Sequence, residues 1–173
     1  LCVVFPAGGA HDPTAPMNTP TPLPTDEAPA SDIADIERFF TDMTPAHLAR
    51  LGEVYSAQAW FKDPFNEVQG LDAVRGIFQH MYDSLNQPRF IVTTRVVQGR
   101  QCFLTWDFVF GLRGQTTQIT VRGASHLWLA PGPDGRWRIT RHRDYWDVAE
   151  ELYEKLPVLG GLMRWLKNRA LQP

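Results

Sequence analysis

His142 and Asp144 stand two residues apart in the segment Arg136–Trp146, which reads as a strand, so imidazole and carboxylate lie side by side on one face together with Trp146. An acid next to an imidazole can accept a proton and pass it on. The same pair can equally be a satisfied, half-buried polar couple at the rim of a pocket, and the residues leave both readings open. A further carboxylate, Asp63, precedes Pro64, where Asp commonly accepts backbone N–H groups of a turn. Ser125 reads as a filler hydroxyl. The five His are scattered and the two Cys, Cys2 and Cys102, are far apart, so neither a metal set nor a disulfide framework is expected.

Lys and Arg number 17 against 19 Asp and Glu in 173 residues. That balance argues against a nucleic-acid binder working by bulk charge. Arg136, Arg138, Arg141 and Arg143 make one segment basic, but ion pairs on the outer face of a sheet account for it better. No apolar run approaches the ~20 residues of a membrane span. A cytoplasmic domain that relies on apolar burial is expected.

The elements that must position these groups follow from pattern. Seven of the 14 Pro fall in the first 30 residues, so residues 1–30 read as a disordered tail, with Met17 the expected natural start and 1–16 an extension. Ser31 or Asp32 is the expected cap of a helix buried through Ile33, Ile36 and Phe39/Phe40. Thr44-Pro45 starts a second, continued by Leu48, Leu51 and Val54/Tyr55. Ala59–Asp63 is a short extended piece. A third helix opens after Gly70, runs through Leu71, Val74, Ile77/Phe78, Met81 and Leu85, and ends at Pro88. Four β segments then follow, Phe90–Gln98, Cys102–Leu112, Thr116–Leu129 and Arg136–Trp146, joined by turn residues as antiparallel hairpins. Residues 151–173 read as a basic amphipathic helical extension. It packs on the sheet or on a partner subunit rather than on a membrane, because three positive charges and one Trp are a thin anchor.

Alternation sorts the faces. Leu104, Trp106, Phe108, Phe110 and Leu112 form one row, and Ile119, Val121, Gly123, Ser125 and Leu127 another, both beneath the helices. Phe103, Thr105, Asp107, Val109, Arg122, His126 and Trp128 face outward. The Trp128/His126 row suggests a homodimer. His47 and His80 occupy polar helix positions and read as solvated.

The ordered set Val54-Tyr55, Asp63-Pro64-Phe65, Gly70, Asp134-Gly135-Arg136 and Asp144-Tyr145-Trp146-Asp147 resembles the nuclear transport factor 2-like superfamily, over about residues 31–150. That superfamily includes steroid isomerases and SnoaL-like polyketide cyclases. The run from His142 through Asp147 and on to Pro157 is similar to a bacterial SnoaL-like subgroup of unassigned reaction. The resemblance implies an α+β fold: a cone-shaped, curved antiparallel sheet covered by N-terminal helices, the cystatin-like roll. It also implies a cavity lined by Tyr55, Phe61, Trp106, Phe108, Ser125 and Trp146.

By the same resemblance Asp63 stands where steroid isomerases keep their general base. Their oxyanion donors, a Tyr and a protonated Asp, are matched here by Phe39 and Ser125. Losing such donors makes a steroid isomerase improbable. The cyclases and limonene-type epoxide hydrolases place the base near the last strand's end, which favours Asp144. The acid partner of epoxide opening is missing from the row Trp106, Phe108, Phe110. The expectation is therefore a protein that binds a small apolar molecule and uses no cofactor. Asp144 would be its general base, with Asp63 and His142 orienting or shuttling protons. The alternative is a non-catalytic ligand-binding or interaction module that has lost its donors.

Overall fold

The computed structural model describes residues 27–147 except 113, 115 and 116. The residue 1–26 part of the tail and the 151–173 extension lie outside the described residues. Where the tail meets the fold, Ala28 is already buried and its N–H donates to Gly99 O at 3.0 Å. Ile33, Ile36, Phe39 and Phe40 form the buried stripe of α1 (Ala30–Thr41). Pro29 occupies its N-cap, so neither Ser31 nor Asp32 caps it. Asp32 instead lies within the first turn, where its buried carboxylate accepts Trp137 N–H at 2.9 Å and pairs with Arg136 Nε at 3.0 Å. This ties α1 to the start of the last strand.

Thr44 and Pro45 do open a helical segment, Pro45–Glu53, but it winds as a 3₁₀ helix. His47 closes a capping box with Thr44. Leu48, Leu51 and Val54 are buried along it. Tyr55 is not its last turn: it is the first residue of β1 (Tyr55–Lys62), which is longer than the Ala59–Asp63 piece expected. β2 (Glu67–Gln69) folds back on β1. Gly70, at φ +96°, lets the chain swing into α2 (Leu71–Ser84). α2 ends at Ser84, four residues before Pro88. The proline falls inside β3 (Leu85–Gln98), at a register shift between Asn86 and Arg89. A proline is tolerated there because β3 is an edge strand and the shift frees its missing donor.

β4 (Gln101–Leu112), β5 (Gln118–Pro131) and β6 (Trp137–Tyr145) complete a curved, unclosed sheet of order β2-β1-β6-β5-β4-β3. The hairpins β3–β4–β5–β6 are antiparallel, whereas β1 joins β6 in parallel. Helices cover one face, giving the α+β architecture anticipated. The inward rows are as expected at Leu104, Trp106, Phe110, Val121, Ser125 and Leu127, all buried. Val109 departs from its outward assignment and is 7 % exposed, flanked in register by Arg89 and Thr120.

On the outer face Asp107 and Arg122 are register partners 3.8 Å apart. Beside them a ladder crosses four strands. Phe103 stacks on His126 (3.9 Å), His126 meets Trp128 (3.5 Å), and Arg141 lies over both Trp128 (4.7 Å) and Trp60 (4.4 Å).

Candidate functional site

β6 carries an irregularity that decides what faces inward. Leu129 pairs with Ile139 but Trp128 pairs with Arg141, so Thr140 is an extra residue and the strand's alternation changes phase there. Trp137 and Ile139 are buried before it, and His142 after it is 3 % exposed. Arg141 is turned out to the aromatic ladder. Register then sets His142 beside Phe61 of β1 and Asp144 opposite Ser125 of β5.

The polar groups gather into one network. Tyr55 Oη lies 2.5 Å from His142 Nδ1, and His142 Nε2 lies 2.7 Å from Asp144 Oδ1 and 3.1 Å from Ser125 Oγ. Ser125 donates to Asp144 Oδ1 at 2.5 Å, and Trp106 Nε1 donates to Ser125 Oγ at 2.9 Å. The imidazole is enclosed by Phe61 at 4.9 Å, Phe40 at 5.8 Å and Tyr55 at 5.9 Å. Burial, and next the Asp144 charge, hold the Tyr55 phenol well above its ordinary value, so it stays a hydroxyl.

In front of Asp144 opens a cavity of about 460 Å³, lined chiefly by apolar side chains of α2, β3, β4 and β5. Phe61, Trp106, Phe108 and Trp146 line it, as do Asp144 and Asp63. Behind it a hollow of about 20 Å³ is bounded by Phe40, Trp106, Ser125, His142 and Asp144. That is room for about one water.

The residues singled out in the sequence are thus brought together unequally. Asp144, His142, Ser125 and Trp106 share one bonded cluster. Tyr55 borders neither the cavity nor the hollow and stands behind His142. Asp63 reaches the cavity rim, but its Oδ1 accepts the N–H groups of Phe65 (2.7 Å) and Asn66 (2.6 Å) as well as the Asn66 side chain. It closes the turn between β1 and β2. On α1 the residue that faces the site is Phe40, one place beyond the Phe39 matched by resemblance; Phe39 packs against His47 instead. Sequence reasoning also passed over Asn66, Met81 and His80, which line the cavity. The 3.6 period places Met81 on the buried stripe of α2, while Asn66 had no signal beyond its turn.

Among the described residues no group of three or more His, Cys, Asp or Glu is placed to hold a metal ion. No helix among them is long and apolar enough to cross a membrane.

Residues 36–142, more than half of the chain, match the family model of the SnoaL-like domain. No curated protein matches the chain. Among solved structures, a Catenulispora acidiphila protein with a ketosteroid isomerase-like fold, crystallised with trimethylamine, is 17% identical. It aligns over 72% of this chain and 91% of its own, with a TM-score of 0.58. TsrD from Streptomyces laurentii is 14% identical over 76% of this chain and 98% of its own, with a TM-score of 0.60. A candidate SnoaL-like polyketide cyclase from Shewanella denitrificans is 15% identical over 70% and 94%, with a TM-score of 0.53. At these identities the likeness is one of fold.

Proposed function

Because the chain belongs to the SnoaL-like domain family, we propose that it binds a small apolar molecule and moves a proton on it without a cofactor, Asp144 acting as general base. One observation carries this reading. Both bonds that Asp144 receives end on Oδ1, from Ser125 and His142, and Oδ2 has no partner among the described residues although Asp144 lines the cavity. A base needs a held orientation and a free oxygen, and this arrangement supplies both. Asp63 is the lesser candidate, since its carboxylate is occupied by the turn. Phe61, Trp106, Phe108 and Trp146 supply the apolar wall.

The test is hydrogen–deuterium exchange next to the carbonyl of 2-tetralone, followed by NMR, together with its binding. Wild type should accelerate exchange over buffer, and Asp144→Asn should lose about a hundredfold or more of that acceleration while still binding. Exchange by the Asn variant at the wild-type rate sinks the base. The alternative is a binding module without catalysis, favoured by Phe40 where an oxyanion donor would be useful. Binding of tetralone without faster exchange would support it.

A cytoplasmic homodimer belongs to the same proposal. Ile91 and Val96 are exposed apolar residues on the outer face beside the aromatic ladder, whose first rung, Phe103, is exposed as well, and a second copy would cover them. Sedimentation should give a dimer that Trp128→Glu splits; a monomeric wild type would refute the pairing.

A further inference from the structure

The hydrogens around Asp144 can be followed one by one. Trp106 Nε1–H is spent on Ser125 Oγ, and the Ser125 O–H on Asp144 Oδ1. The buried Tyr55 hydroxyl has one bonding partner among the described residues, His142 Nδ1. If Nδ1 carried a hydrogen, as in imidazolium or in the Nδ1–H tautomer, the hydroxyl hydrogen of Tyr55 would be left buried with no acceptor. With Nδ1 bare, Tyr55 donates to it, and the ring's single hydrogen sits on Nε2, 2.7 Å from Asp144 Oδ1. Every polar atom of the network except Asp144 Oδ2 is then satisfied, in keeping with the absence of unpaired buried side-chain atoms among the described residues.

We infer that Tyr55 fixes His142 as the Nε2–H tautomer, so that the cavity floor presents Asp144 Oδ2 as a bare acceptor and selects ligands that bring their own polar hydrogen, an O–H or N–H, over ethers and carboxylates. The inference rests on the reading of Asp144 as the group a ligand meets. Tyr55 is a positioning residue in it, since it acts through the imidazole. All four network hydrogens are used inside the network, so none is left to greet a ligand oxygen. At the rim Asn66 Nδ2 is engaged on Asp63, His80 and Ser84 meet at 3.4 Å, and Trp146 adds its indole N–H to the lining. The described lining also holds no Lys or Arg to receive an anion. A carboxylate ligand would face Asp144 as a like charge, and an ether oxygen would face its lone pairs.

Three naphthalenes of one shape test this on the full-length protein. At neutral pH 2-naphthol should bind about tenfold or more tighter than 2-methoxynaphthalene, with 2-naphthoate weakest. Asp144→Asn should level the first two, because the amide oxygen keeps the Ser125 and His142 bonds while its NH2 group, a donor to either ligand oxygen, replaces the bare Oδ2. Nitrogen-15 spectra of the His142 ring should show Nδ1 bare and Nε2 protonated in wild type, with that single tautomer lost in Tyr55→Phe. Equal binding of naphthol and its methyl ether, an imidazolium or Nδ1–H ring in wild type, an unchanged ring in Tyr55→Phe, or no binding of either neutral naphthalene overturns the inference. Where Tyr55→Phe does not fold, the wild-type ring spectrum and the Asp144→Asn series decide. A naphthol preference alongside unaltered tetralone exchange in Asp144→Asn would remove the base and leave this inference standing.

Discussion

Ile139 and His142 share the inner side of the sheet although they stand three positions apart, because Thr140 has no counterpart on β5. A regular strand would bring either one inward, never both. Inserting one Ala between Trp128 and Leu129 of β5, which gives Thr140 a counterpart and makes the ladder regular, should therefore send His142 and Asp144 to the outer face or push Ile139 out of the core. The Tyr55–His142 bond breaks in the first case, and apolar burial is lost in the second. A loss of about 3 kcal/mol or more is expected in urea unfolding, with naphthol binding abolished in whatever remains folded. Near-native stability with intact binding would show that the bulge is dispensable.

Gly123 is paired with Trp106, and a Cβ there would fall 2.7 Å from Trp106 Cζ2 and 2.8 Å from Cζ3. Indole rings do not compress. Gly123→Ala should displace Trp106 from Ser125 and into the cavity, at a cost of about 1–3 kcal/mol. Tryptophan emission and thermal unfolding report it, and an unaltered spectrum would mean that the ring has room to move.

Tyr55→Phe removes the one donor to a buried ring nitrogen, so about 1–3 kcal/mol of stability should go at pH 7. The alkaline limb should change as well. Burial holds the Tyr55 hydroxyl well above its ordinary value, raises the Tyr82 phenol to about 12, and raises the Cys102 thiol to about 11. The unfolded chain releases these protons first, so the folded state holds more protons than the unfolded one at high pH. Stability is then complete below about pH 9, the ordinary thiol value, and is lost progressively as pH rises through about 12. Urea midpoints measured from pH 7 to 11 should fall, and less steeply above about pH 10 in Tyr55→Phe. A flat series would contradict the buried, protonated phenol.

Asp63 binds two backbone N–H groups through Oδ1, which an Asn carbonyl can also do. Asp63→Asn should leave naphthol affinity within about twofold and stability within about 0.5 kcal/mol, while Asp63→Ala should cost about 1 kcal/mol. A hundredfold loss of tetralone exchange in Asp63→Asn would return the rim carboxylate to the chemistry.

The elements were legible where a period ran long: the stripes of α1 and α2, and the rows of β4 and β5 that bring Trp106 and Ser125 inward. Spacing alone also put His142 and Asp144 together, because both lie beyond the bulge and keep a period of two. What the pattern hid was geometry of one residue or one turn. The Pro45–Glu53 helix winds tighter than its stripe suggests, and a chain of Val54 and Tyr55 does not reveal where helix gives way to strand. Phe39 and Phe40 are both apolar and both buried, so no period decides which one meets the imidazole. Tyr55's place behind His142 depends on the parallel pairing of β1 with β6, a contact between distant segments with no local signature.

That parallel pairing has a consequence for biosynthesis. β1 leaves the ribosome early, yet its neighbour β6 lies at the far end of the described chain, and Tyr55 meets His142 across 87 residues of sequence. During translation the first strand has β2 on one flank and an open edge on the other, until the last strand arrives to fill the gap between β1 and β5. The nascent domain therefore assembles its acid, imidazole and phenol in one closing step, and a chain stalled before residue 142 holds the phenol but lacks both the imidazole and the acid.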